Sequence, residues 1–174
     1  MRLKAICRPT KKTAGVAPPL YNRMQEFSFR TQLVLPRKRD EIFRFFADAG
    51  NLEVLTPPSL RFCVLTPPPI KMHPGTLIDY KLRVHGLPLK WRSEITAWEP
   101  PTCFVDEQRR GPYRAWIHEH RFEESGKGTL STDFVRYSVF GGALVNWLFV
   151  RRDVEQIFAF RTGQLRQLFG APAA

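Results

Sequence analysis

Cysteine is scarce in this chain. It occurs three times in 174 residues, as Cys7, Cys63 and Cys103, with no CxxC pair. That spacing supports neither a disulfide framework nor a cysteine-held metal, and it favours a reducing compartment. A cytoplasmic location is the expectation. Long apolar runs are missing too. None approaches the roughly 20 residues needed to cross a bilayer, so a soluble protein is expected. Acidic residues are absent from the first 23 positions, which hold Arg2, Lys4, Arg8, Lys11, Lys12 and Arg23. No phosphate-binding loop, nucleophile elbow or base-reading motif occurs. No cofactor, no metal and no specific nucleic acid are therefore expected.

The net charge of +11 is unevenly placed. Without the first 23 residues, 21 basic residues face 16 acidic ones, a balance of only +5. Residues 1–26 lack hydrophobic periodicity and read as a disordered basic tail. They contain no apolar signal-peptide core. A plain tail, a translation start at Met24 and a targeting segment are the three readings. The ordered pattern begins at Phe27, so one domain is expected over 27–170. At 43% hydrophobic and 13% aromatic, it has enough apolar content for a core of its own.

Phe27 to Leu35 alternates and predicts a strand, ended by Pro36. Arg37 to Asp48 carries Ile42, Phe43, Phe45 and Phe46 at helical spacing, and Gly50 is its expected cap. Asn51 to Leu55 predicts a second short helix. Six strand-like runs follow at 60–66, 75–84, 88–98, 102–110, 113–124 and 129–139. Their connections are too short for helical crossovers, which predicts an antiparallel meander. The last stretch, Val150 to Phe169, places Val154, Ile157, Phe158, Leu165 and Leu168 on one helical stripe. Ala143 to Phe149 can extend this helix backwards. The pattern predicts an α+β fold: a bent antiparallel sheet of about seven strands around a long C-terminal helix, with two short helices after strand 1. A largely apolar pocket is expected between sheet and helix.

Turn length decides which side chains face inward. An even loop around Ser125–Gly128 sets His120 opposite Asp133, His118 opposite Val135 and Trp116 opposite Tyr137. An even loop around His85-Gly86 groups Tyr80 and Leu82 with Leu89, Trp91, Ser93 and Ile95. The Gly111-Pro112 turn leaves two outcomes. A three-residue loop brings Phe104, Asp106 and Gln108 inward; a two-residue loop brings Cys103, Val105 and Glu107. The inner face then collects His118, His120, Asp133 and Tyr137. Arg161 interrupts the helical stripe, either snorkelling at its edge or facing a polar spot in the cavity. A His–Asp pair on neighbouring strands suits acid–base work, and it equally suits a satisfied buried network. HxH with one aspartate is a weak metal signature.

Several stretches together resemble the START-like superfamily, also called SRPBCC or Bet v 1-like. They are Asn51–Pro58 (NLEVLTPP), Trp91–Ile95 (WRSEI), Trp98–Pro101 (WEPP), Phe104–Gln108 (FVDEQ), Gly111–His120 (GPYRAWIHEH), Asp133–Tyr137, Ile157-Phe158 and Arg161. The likeness is to bacterial single-domain, polyketide cyclase/dehydrase-like members, and it spans nearly everything but the tail. It implies a helix-grip fold and a cavity for a hydrophobic or amphipathic small molecule: a lipid, a quinone or a polyketide-like compound. Apolar walls would supply affinity, while Gln108, His118, His120, Asp133 and Arg161 orient a polar group. The expected ligand-binding set also includes Tyr80, Leu82, Trp91, Ile95, Phe104, Asp106, Trp116, Val135, Tyr137 and Phe158. Two alternatives accompany this expectation of a non-catalytic binder. One is a cyclase- or dehydratase-type enzyme using His118, His120 and Asp133. The other is a membrane-surface lipid or quinone shuttle, aided by the basic tail.

Overall fold

The computed structural model describes residues 25–171. Of the tail expected at 1–26, all but Gln25 and Glu26 lies outside the described residues. The chain forms β1 (Phe27–Leu35), α1 (Arg39–Ala47), β2 (Cys63–Val64), β3 (Leu77–Val84), β4 (Leu87–Glu99), β5 (Cys103–Arg110), β6 (Ala115–Ser125) and β7 (Gly128–Ser138). A short helix α2 (Gly142–Val145) runs through a π turn (Asn146–Val150) into α3 (Arg151–Phe169). The second short helix after β1 is a pair of 3-10 turns, Ala49–Leu52 and Pro58–Leu60. Gly50 does not cap α1 but lies in the first of these turns, where Asp48 caps it through Gly50 N–H. β2 is shorter than the run at 60–66 because Arg61 adopts a left-handed conformation that interrupts the extended backbone.

The seven strands form one curved antiparallel sheet in the order β1-β7-β6-β5-β4-β3-β2. β2 to β7 run as the meander that short connections require, and β1 closes onto β7 from Phe27↔Tyr137 to Leu35↔Thr129. The even hairpins set Trp116↔Tyr137, His118↔Val135, His120↔Asp133 and Tyr80↔Trp91. The Gly111-Pro112 turn takes the odd register, with Phe104↔His120 and Asp106↔His118. Phe104 and Asp106 therefore face inward, while Cys103 and Val105 pack with Ala97 in a separate small cluster. A bulge in β4 between Ile95 and Ala97 reverses the alternation there. It lets Ile95 and Trp98 both reach the main core.

α1 lays Ile42, Phe43 and Phe46 on Phe104 and Phe122. α3 buries Val154, Phe158, Arg161, Leu165 and Phe169. Leu168 was expected on this stripe but is 46% exposed, and Phe169 takes the buried place. Phe169 sits four positions after Leu165, where it reaches Phe45 on α1 with ring centroids 5.1 Å apart. Burying each large apolar side chain contributes about 1.5–3 kcal/mol, so α3 is held mainly by this stripe. Cys63 is a free thiol and Cys103 is disulfide-bonded, so the cysteines are not all the free thiols that their spacing suggested. Among the described residues, no helix is long and apolar enough to cross a membrane.

Candidate functional site

The sheet's concave face, α1 and α3 enclose a cavity of about 330 Å³, near the lower end of the range for small-molecule sites. Tyr80 and Leu82 from β3, Trp91 and Ile95 from β4, Phe104 and Asp106 from β5, Trp116, His118 and His120 from β6, and Phe158 and Arg161 from α3 all line it. Four members of the expected set do not. Gln108 turns to the β5–β6 loop, donating from Nε2 to Tyr113 O at 2.7 Å and accepting from Tyr113 N at 3.3 Å. Val135 is fully buried against Val154 and Phe158. The Tyr137 hydroxyl donates to buried Asn146 at 2.9 Å and so pins the π turn. Asp133 bonds both histidines without itself lining the cavity. Ser93, Phe46, Leu55, Phe62 and Met72 also line it. The β4 alternation places Ser93 and the α1 stripe places Phe46. Phe62 belongs to the run read as a strand at 60–66 but precedes the short β2, and Met72 lies in a proline-broken connection with no periodicity to read.

The polar groups gather in one place because the odd β5–β6 register sets Asp106 across from His118. Asp133 Oδ1 lies 3.0 Å from His118 Nε2, 3.0 Å from His120 Nδ1 and 3.4 Å from Arg161 Nη2. Asp106 Oδ1 lies 3.2 Å from His120 Nε2 and 3.6 Å from His118 Nδ1. Asp106 Oδ2 accepts from Ser93 Oγ at 3.3 Å. Ser93 Oγ in turn accepts from Trp91 Nε1 at 3.1 Å and lies 2.5 Å from the Tyr80 hydroxyl. Phe104 stacks on His120 at 4.1 Å. The Arg161 guanidinium sits 4.9 Å from the Phe46 ring and 5.9 Å from the Phe158 ring, so its buried Nε, which makes no hydrogen bond within the protein, lies among aromatic rings.

This packing divides the two histidines. Burial and the His120 charge together push His118 down, outweighing the bond to Asp133. Burial pushes His120 down as well, but its bonds to both carboxylates prevail and raise it. His118 is thereby biased to neutral imidazole, which gives its one N–H to Asp133. His120 is biased to imidazolium, donating from both nitrogens. Its Nδ1 lies 3.4 Å from Arg161 Nη2, a like-charge approach held by the shared Asp133 oxygen. Burial pushes Asp133 up, yet Arg161 and the two histidines hold it well below the usual carboxylate range. Asp106 is lowered for the same reason, against its own burial. Two carboxylates, a guanidinium and an imidazolium sum to zero charge, which is how four ionisable groups can share a buried site. Asp106, His118 and His120 bring possible ligand atoms within 4.8 Å of one another.

The sequence matches the family model described as polyketide cyclase / dehydrase and lipid transport over residues 35–160. No curated protein matches it. Among solved structures, protein Ms6760 from Mycobacterium smegmatis aligns over 83% of this chain and 90% of its own, at 20% identity and a TM-score of 0.60. CV1439 from Chromobacterium violaceum aligns over 82% and 96%, at 13% identity and a TM-score of 0.66. The di-domain aromatase/cyclase StfQ of the steffimycin biosynthetic pathway aligns over 83% of this chain and 51% of its own, at 13% identity and a TM-score of 0.63. At such identities the likeness is one of fold. The chain belongs to the polyketide cyclase / dehydrase and lipid transport family.

Proposed function

We propose that the protein binds one apolar or amphipathic small molecule, of lipid, quinone or polyketide-like character, between the sheet and α3. The observation that carries this reading is the contrast within the cavity wall. Leucine, isoleucine and aromatic side chains make up most of it, and the polar groups meet in one charge-balanced cluster. Apolar walls supply affinity, and a compact polar group fixes orientation. The Tyr80–Ser93–Asp106 chain and His118 are the groups a ligand's hydroxyl or carbonyl would meet. Trp91 and Trp116 line the same space, so their emission reports occupancy. Titration with an apolar fluorescent probe should saturate at one equivalent and quench tryptophan emission. Non-saturable binding, in protein carrying no endogenous ligand, would contradict the reading.

A second reading is supported by the opposed shifts of the two histidines. Neighbouring groups with pKa values pushed apart are the arrangement of an acid and a base. Neutral His118 would accept a proton, imidazolium His120 would donate one, and Arg161 would stabilise a developing oxyanion. Such a protein would act as a cyclase or dehydratase. Turnover of a polyketide-like substrate with a bell-shaped pH profile, lost in His118→Gln, favours this reading. Tight binding without turnover favours the carrier.

A further inference from the structure

We propose that the segment Phe140–Phe149, with the tip of the β3–β4 hairpin, is a docking surface for an anionic lipid bilayer. Five large apolar side chains in this short stretch face out: Phe140 at 63% exposure, Leu144 at 64%, Trp147 at 71%, Leu148 at 48% and Phe149 at 54%. Leu144, Trp147 and Leu148 sit at helical spacing across α2 and the π turn. An apolar stripe on the solvent side of a helix marks an interaction surface. Leu87, 68% exposed, adds to it from the hairpin tip. Hairpin and helix are joined where His85 bonds Asp153 at 2.9 Å and packs against Phe149. Buried Asn146, held by the Tyr137 hydroxyl, anchors the segment from below.

Charge selects the partner. No acidic residue occurs from Phe140 to Arg152 or from Lys81 to Ser93. Exposed Arg151, which also pairs with Glu155 at 2.9 Å, and exposed Arg152 follow one turn after the apolar stripe, and Lys81, Arg83 and Lys90 are exposed on the outer face of the hairpin. Exposed Arg114 packs over the Phe140 ring at 5.3 Å. Aromatic and aliphatic side chains flanked by Arg114, Arg151 and Arg152 match an interface of acyl chains below anionic headgroups. Phe140 also lines the cavity, so the docking face adjoins the route to its interior. The proposal stands on this surface alone and does not require the cavity to bind anything.

The test is co-sedimentation of the full chain with phosphatidylcholine vesicles, with and without phosphatidylserine. Binding should require phosphatidylserine, fall with added salt, and shift Trp147 emission to the blue. Trp147→Ser, at an exposed position, should leave the melting temperature unchanged and weaken binding roughly tenfold or more. Arg151→Ser with Arg152→Ser should weaken it to a similar degree, roughly tenfold. Three results overturn the proposal. The first is no binding to the anionic vesicles. The second is binding unaffected by Trp147→Ser, which would assign adhesion to the six basic residues of the first 23. The third is a concentration-dependent dimer in sedimentation velocity, dissociated by Trp147→Ser in protein that ignores vesicles. That would assign the surface to a second copy of the chain.

Discussion

Asp133 holds the polar cluster together. One of its oxygens faces two histidines and Arg161, so it stabilises the imidazolium of His120. Asp133→Asn removes that charge and should lower the His120 pKa, read by NMR titration of the ring; an unmoved His120 would contradict the assignment. The pH dependence of stability follows from the directions of the shifts. His120 is raised, so its contribution is complete below its unfolded value of about 6.5 and is lost as pH climbs through the folded value. His118 is lowered, so acid costs stability as pH falls from about 6.5 through its folded value. The two effects oppose each other near neutrality. Asp133 and Asp106 are lowered, so their contribution is present above about 4 and is lost as pH falls further. Acid melts should therefore show a much steeper loss below about pH 4 in the natural protein than in Asp133→Asn. Arg161→Leu leaves Asp133 with the histidines alone and should cost roughly 3 kcal/mol, at the low end for a broken buried pair, measured by urea unfolding. Unchanged stability would mean that Arg161 contributes no net pairing.

At the scale of elements, the strands at either side of an even hairpin were legible, because a two-residue loop fixes which side chains oppose. That reasoning placed His118, His120 and Asp133 on one shared face, and Tyr80 with Trp91 on another pair of strands. It left Asp106 undecided, since the turn at Gly111-Pro112 admits either parity, and the odd register is what brings Asp106 to the histidines. The β4 bulge carried no signal in the sequence, and neither did the turning of Gln108 onto the Tyr113 backbone. Leu168 was misplaced because helical spacing from Leu165 is met equally by i+3 and i+4, and packing against Phe45 chose Phe169. The β6–β7 hairpin rests on Gly128, where φ is +126° and an added Cβ would meet Leu35 O at 2.1 Å. Gly128→Ala should cost more than about 1 kcal/mol and lower the thermal midpoint. A neutral substitution would show that the β1–β7 edge relaxes freely.

For the whole molecule, the architecture follows from what must be covered. A sheet with one apolar face needs a partner layer, and α1 with α3 supply it over most of the concave surface. They leave about 330 Å³ open, with the His–Asp–Arg cluster bridging sheet and α3 at one part of its wall. The central claim is that this space receives a small apolar molecule bearing a polar group. Native mass spectrometry of freshly purified full-length protein, repeated after adding a long-chain fatty alcohol, tests it most directly. The account predicts a single non-covalent adduct at one equivalent, either already present or formed on addition, and weakened in Ile157→Trp, which fills the cavity from α3. Protein that carries no adduct and takes up none, at any alcohol concentration short of unfolding, would contradict it.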